Sequence, residues 1–111
     1  MHVFRNKPEL YFEPDGHYGT LRVATIVTKD EANFVTQFSH CPPGGGGYAH
    51  HHDDEDQLFV VIKGELTFET EDDRFTLTEG EAVLFHAGDQ HMTINESDQD
   101  SVSLVVTVGA K

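Results

Sequence analysis

The sequence predicts an all-β chain closed into a small barrel or jelly roll, and three observations predict it. No stretch of ten or more residues carries the i, i+3, i+4 apolar rhythm of an amphipathic helix. Short β-branched and aromatic runs recur instead, and Gly, Pro or Asp punctuate them at nearly regular intervals. Strands this short and evenly spaced fit closure better than an open sheet, because closure protects their edges. The 111 residues suffice for one core. Two segments are expected: a loosely structured arm over 1–20, with Pro8, Pro14, Asp15 and Gly16, and a barrel domain over 21–111.

The first strands are expected at 21–28 and 33–41, where Val, Ile, Thr and Phe dominate. Pro42-Pro43 then removes backbone donors and Gly44–Gly47 removes side chains, so a loop is expected there. Strands follow at 50–52 and 57–63, and Lys63-Gly64 turns the chain tightly into 65–70. Glu71-Asp72-Asp73 leads into 74–78, Glu79-Gly80 into 81–85, and the last strands fall at 91–95 and 101–108. Within 57–63, Phe59 and Val61 share one face while Leu58, Val60 and Ile62 share the other, so both faces are expected to be buried. A small barrel has one inside. The second face therefore calls for the arm or a second subunit, and a homodimer is expected, with two-sheet packing inside one chain as the alternative.

Acidic residues number 20 against 7 basic ones, for a net charge of −13. Such a surface repels phosphates and anionic lipid, which excludes nucleic acid and membranes as expected partners. The longest apolar runs, Leu58–Ile62 and Leu104–Val106, fall far short of the roughly 20 residues of a membrane helix. Met1–Pro8 shows no apolar leader, and the single Cys41 has no internal disulfide partner, so cytoplasmic residence is expected. No nucleophile elbow, phosphate loop or dinucleotide fingerprint occurs. Cys41 reads as a buried, inert thiol at a strand end. Asp53-Asp54-Glu55-Asp56 lacks the alternating ligands and central Gly of a calcium loop and reads as a solvated acidic loop.

The chemistry gathers at the histidines, of which there are 8. In an extended strand His50 and His52 point the same way and His51 the opposite way, to solvent or an interface. Two imidazoles about 6–7 Å apart at the backbone can converge on one cation but need partners from elsewhere in the fold. His91 and Gln57, each at the start of a strand, are the candidates.

The spacing resembles the cupin superfamily. Its first motif is a Gly, five residues, His-x-His, three or four residues, Glu, six residues, Gly; here stand Gly44, His50, His52, Gln57 and Gly64. Its second is a Gly, five residues, Pro-x-Gly, two residues, His, three residues, Asn; here stand Gly80, His86-Ala87-Gly88, His91 and Asn95. The resemblance spans about 34–108 and implies a small single-domain cupin with one divalent transition metal ion, Fe, Ni, Zn, Mn or Cu, held by His50, His52 and His91. Gln57 stands in the usual Glu position, either as a ligand through its amide oxygen or as a hydrogen-bonding neighbour of a three-His site. A neutral Gln leaves a divalent site its full charge, a stronger Lewis acid than a Glu would allow.

Residues sharing parity with the implied ligands are Phe59 and Val61, and Thr93 and Asn95, with Tyr48 at the rim. On 33–41 either Gln37, Ser39 and Cys41 or Thr36, Phe38 and His40 face inward; the family pattern favours the first set. The expected pocket residues are thus Gln37, Tyr48, Phe59, Thr93 and Asn95, around a small organic molecule that chelates the metal through adjacent oxygens. With Gln57 replacing Glu, the proton acceptors left are His86, His40 or metal-bound hydroxide, and His86 is nearest in sequence to His91. His2 and His17 read as ordinary surface residues. The resemblance implies a metal-dependent enzyme, dioxygenase-type first, with a redox-neutral isomerase, cyclase or lyase, or a non-catalytic binder, as alternatives. Small cupins that open unsaturated sugar acids are similar at the metal set. Their acid-Phe-Arg constellation has no counterpart in Ser103–Lys111, and that activity is not transferred.

Overall fold

A computed structural model describes residues 1–109. A single 3-10 turn, Pro8–Leu10, precedes ten strands: β1 (His17–Tyr18), β2 (Arg22–Val27), β3 (Phe34–Cys41), β4 (Gly46–His50), β5 (Asp56–Lys63), β6 (Glu65–Glu69), β7 (Arg74–Thr78), β8 (Ala82–Phe85), β9 (His91–Ile94) and β10 (Ser101–Val108). They form two antiparallel five-stranded sheets, ordered β1-β4-β9-β6-β7 and β2-β3-β10-β5-β8. This is the jelly-roll arrangement expected from the sequence, with strand ends displaced by a residue or two except at β4, and with β1 formed in the segment expected to be a loose arm.

The displacement at β4 has a steric cause. Gly46 and Gly47 lie in the strand and not in a loop, because β1 and β9 press in on both sides of them. A Cβ on Gly46 would collide with the Thr93 carbonyl and lie 2.7 Å from the Tyr18 hydroxyl; one on Gly47 would meet His17 Cδ2 at 2.9 Å. The glycines are needed for close approach, a role that looks the same as turn chemistry when only composition is visible. The strand ends at His50, so His51 and His52 lie beyond it.

Between the sheets lies a core of Leu21, Val23, Cys41, Phe59, Val61, Leu66, Phe68, Phe85 and Val105. Phe59, Phe68 and Phe85 meet edge-on or tilted, with centroids 5.3–6.0 Å apart. β5 does not bury both faces within the chain. Phe59 and Val61 point into the core, while on the outer face Leu58 and Val60 are half-buried and Ile62 is exposed. Arm residues cover only part of that outer surface: Phe4 packs on Phe38 with centroids 6.0 Å apart, and Phe12 bridges to Val23 on an edge of the second sheet. The arm is thus docked through strand β1 and this bridge.

Candidate metal centre

His50 closes β4 and His91 opens β9, and the two are register partners. Their ring centroids lie 4.5 Å apart. His52 is brought to the same place by the loop after the strand, its ring 5.3 Å from that of His50. From the opposite sheet Gln57 extends its amide oxygen to within 3.1 Å of His91 Nε2. Its amide nitrogen donates to Thr107 Oγ1 at 3.1 Å, which turns the oxygen toward the histidines.

Each ring is held by Nδ1. That nitrogen lies 3.0 Å from the Tyr48 carbonyl in His50, 3.3 Å from the Asp89 carbonyl in His91 and 3.2 Å from the Glu55 carboxylate in His52. Oxygens of this kind only accept, so a hydrogen on Nδ1 satisfies each contact and leaves Nε2 of a neutral ring as a lone-pair donor, a tautomer suited to a metal. Glu55 is tied in turn to Lys29 at 3.0 Å. The acidic loop is therefore not wholly solvated: Glu55 orients His52, and Asp56 accepts the Ala87 N–H at 2.9 Å.

His91 is 1% exposed, stacked on Phe85 at 4.1 Å with Phe59 at 5.7 Å. Burial, reinforced by the neighbouring His50, pushes its pKa down to about 4, so the ring is neutral near pH 7. A neutral ring has one N–H, yet both nitrogens of His91 face oxygen atoms. One hydrogen cannot serve both contacts, and where Nδ1 donates to Asp89 it is Nε2 and the Gln57 oxygen that oppose one another lone pair to lone pair. A divalent ion bound by both would resolve that opposition, and adjacent ligands with bonds of about 2.0–2.1 Å at right angles lie about 3 Å apart. Among the described residues no three His, Cys, Asp or Glu side chains already form a closed ligand cluster. By donor chemistry and anchoring, however, His50, His52, His91 and Gln57 fit such an ion.

Beside these residues a cavity of about 370 Å³ opens between the sheets. Gln37, Tyr48, Phe59 and Thr93 line it together with His50, His52 and Gln57. Ser39 joins Gln37 there, so the inward set on β3 is the one the family pattern favours. Asn95 does not line the cavity. It is fully buried, its amide donates to the carbonyls of Cys41 (2.9 Å) and Gln99 (2.7 Å), and its oxygen accepts from Ser97, so its side chain ties the end of β3 to the loop after β9. His86 is also elsewhere: its side chain is 71% exposed, 4.0 Å from Asp56, on the turn closed by its own N–H to Asp89. His40 lies on the outer surface with Arg22 and Asp100. Cys41 is buried, and burial raises its thiol pKa to about 11, as befits an inert cysteine.

The histidine not foreseen in the pocket is His17, brought there with Pro14, Asp15 and Gly16 by the docking of β1 onto β4. No spacing rule signals it, because its position depends on where the arm lands.

The cupin domain family matches residues 37–108, more than half of the chain. The chain belongs to the cupin family. Among proteins of curated function none matches the sequence. Of solved structures, this cupin is similar to a predicted oxalate decarboxylase from Thermotoga maritima, with 21% identity and TM-score 0.79 over 85% of this chain and 84% of that one. It is also similar to a cupin 2 conserved barrel domain protein from Salinispora arenicola, with 19% identity and TM-score 0.80 over 99% and 91%. KdgF from Halomonas sp. shares 17% identity and TM-score 0.75 over 91% and 86%. At these identities the likeness shows the fold alone. The cupin scaffold brings its two motif segments together, where β4, β9, β5 and the loop after β4 present the four residues described above.

Proposed function

We propose that this cupin is a divalent-metal-dependent enzyme acting on a small oxygen-rich organic molecule, a dioxygenase in the first reading. The observation that carries it is the convergence of His91 Nε2 and the Gln57 oxygen to 3.1 Å, beside two further histidines at the wall of a largely apolar cavity. His50, His52, His91 and Gln57 would hold the ion. Bound there, one of Fe, Ni, Zn, Mn or Cu would supply Lewis acidity and, where redox-active, a place for dioxygen. Phe59, Leu66 and Val105 give the cavity an apolar wall, and Gln37 and Thr93 present polar atoms along it. Thr93 Oγ1 also accepts the Gly47 N–H at 3.1 Å, which fixes the wall beside His50. The neutrality of all four donors favours a second reading, a redox-neutral isomerase, cyclase or lyase, because the ion keeps its full charge for polarising a carbonyl. The decarboxylase and KdgF names of the structural neighbours are not carried over, since no Lys or Arg among the described residues lines this cavity to receive a remote carboxylate.

The test is element-resolved metal analysis of the purified protein, followed by oxygen uptake and product screening with catechols, flavonols and diketones. Oxygen consumption selects the dioxygenase, and anaerobic product formation selects the redox-neutral enzyme. Stoichiometric metal without turnover leaves a binding module. Metal uptake that survives alanine at 50, 52 and 91 ends the reading.

The uncovered outer face of the second sheet supports a homodimer. There Ile62 and Leu84 are exposed, and Leu58, Val60, Leu104 and Val106 are half-buried. A net charge of −13 would oppose association elsewhere on the surface, yet these positions carry none. Light scattering should give twice the chain mass, and Leu84→Glu should give one. The partner of the cavity is read as a small molecule, with nucleic acid and membrane surfaces disfavoured by charge, and the lone buried thiol is consistent with the cytoplasm.

A further inference from the structure

His17 shares an anchoring pattern with two of the metal-site histidines. Its Nδ1 lies 2.8 Å from the carbonyl of Asp15, two residues upstream, as that of His50 lies near Tyr48 and that of His91 near Asp89. Nδ1 must therefore donate, and in the neutral ring Nε2 is an acceptor, without a protein donor among the described residues. The ring rests on Gly47, where no side chain intervenes, and its centroid is 6.3 Å from that of His50. Its ring lies farther from His50 than the ring of His52 does, 6.3 Å against 5.3 Å, and it is carried by the arm, which sets it apart from the proposed donor set.

The rest of that wall limits what can enter. Leu21, Val23, Phe59, Leu66 and Val105 offer an apolar body, Asp15 sits at the rim, and no Lys or Arg among the described residues lines the cavity. No permanent positive charge faces the cavity apart from the metal itself. An anionic group bound away from it would meet only apolar side chains, neutral dipoles and a carboxylate, and would lose its hydration without compensation.

We propose that the cavity takes a hydroxylated molecule with an uncharged, largely apolar body, and that His17 Nε2 accepts a hydrogen bond from its hydroxyl beside the metal. This rests on reading the cavity as the ligand site of a metal centre. The hydroxyl donates to His17 while its neighbouring oxygen is directed at the ion. His17 is thereby the residue through which the arm selects a hydroxyl over a carbonyl or an ether at that position.

The matched probes are catechol and 3,4-dihydroxybenzoate, which share the adjacent hydroxyls and differ in one remote carboxylate. Calorimetric titration of the metal-loaded protein should show catechol binding at least tenfold more tightly than the acid. His17→Phe, which keeps a flat ring and removes the acceptor, should weaken catechol about fivefold to tenfold with metal stoichiometry unchanged. His17→Gln, which restores an acceptor oxygen, should recover part of the loss. Equal or tighter binding of the acid, no effect of His17→Phe, or no catechol binding at all overturns the proposal. Loss of metal in His17→Phe also overturns it, by making His17 a ligand of the ion. If the wild-type protein takes up no metal, the metal-enzyme reading fails separately. The same titrations on the metal-free protein then still decide, through the preference for catechol and its dependence on His17.

Discussion

Two regions supply the walls of this cavity, and they are built by different means. The β4–β9 wall is a ladder in which His50 and His91 are register partners, each ring is pinned by a carbonyl two residues upstream, and Gln57 is pinned by Thr107. The arm wall rests on a two-residue strand, one isolated bridge and a few side-chain contacts. The first has its geometry imposed by continuous backbone pairing, and the second is held by docking. Residues of the first wall should therefore fail through the ion they are proposed to hold, and residues of the second through the proposed ligand and the fit of the arm.

The largest effect is expected from His91→Ala. It removes a proposed ligand and a ring packed between Phe85 and Phe59, so metal stoichiometry should fall to background and the metal-free protein should lose about 3 kcal/mol in urea unfolding. The buried ring also makes stability depend on pH. Its pKa is about 4 when folded, against an ordinary value of 6.5, so between these values the unfolded chain binds a proton that the folded chain does not. Stability of the metal-free protein is then full above about pH 6.5 and declines on acidification toward pH 4, by an amount on the order of 3 kcal/mol from this group. Unfolding at pH 7 and pH 5 in wild type and in His91→Leu measures it, since the variant should retain only the slope due to other groups.

The contrast between the walls is also the contrast between what sequence reveals and what it conceals. Strands β3 and β5–β10 follow from alternation and turns to within a residue or two, and spacing brings His50, His52, His91 and Gln57 together, because ladder register converts sequence intervals into fixed distances. Asn95 fits the same motif and His86 stands in the place of its Pro, yet they serve the backbone and the surface, since parity says which face a side chain occupies but not what it bonds to there. Gly46 and Gly47 were legible only as glycines, and their use in close approach depends on β1, a strand too short to carry a periodic signal. His17 was concealed for the same reason. Glu55 was hidden in a run of acids, where neighbours of like charge gave no hint that one of them orients His52.

That last residue gives a prediction of intermediate size. Glu55→Gln removes the charged acceptor of the His52 Nδ1–H, and metal affinity should fall about 10- to 100-fold with little change in fold. Lys29→Ala removes the other partner of Glu55, a 68% exposed side chain, and should leave affinity within about twofold. Competitive titration against a chelator separates the two, and equal losses would mean that local charge matters and orientation does not. On the arm wall, Gly47→Ala should cost about 1–3 kcal/mol, because its Cβ meets His17 Cδ2 at 2.9 Å and one of the two must shift. Metal affinity should change much less, and proteolysis of residues 1–16 should accelerate.

The smallest effect is expected where the arm joins the barrel. Gly19 and Thr20 have φ of 68° and 62°, and this reversal places His17 over Gly47 while returning Leu21 to the core. Thr20 is the only non-glycine among the described residues with positive φ, and its branched Cβ makes that conformation costly, by about 1–3 kcal/mol. Its hydroxyl, 2.6 Å from the Gly19 carbonyl, returns part of that cost. Thr20→Gly relieves the backbone but loosens the unfolded chain by about 0.5–1 kcal/mol, whereas Thr20→Asn tolerates the left-handed region without that entropic penalty. Both should raise stability, by up to about 1 kcal/mol, with Asn equal to or ahead of Gly. If both instead destabilise the protein, the Thr20 hydroxyl outweighs the backbone strain, and the junction is a fastening point of the arm wall.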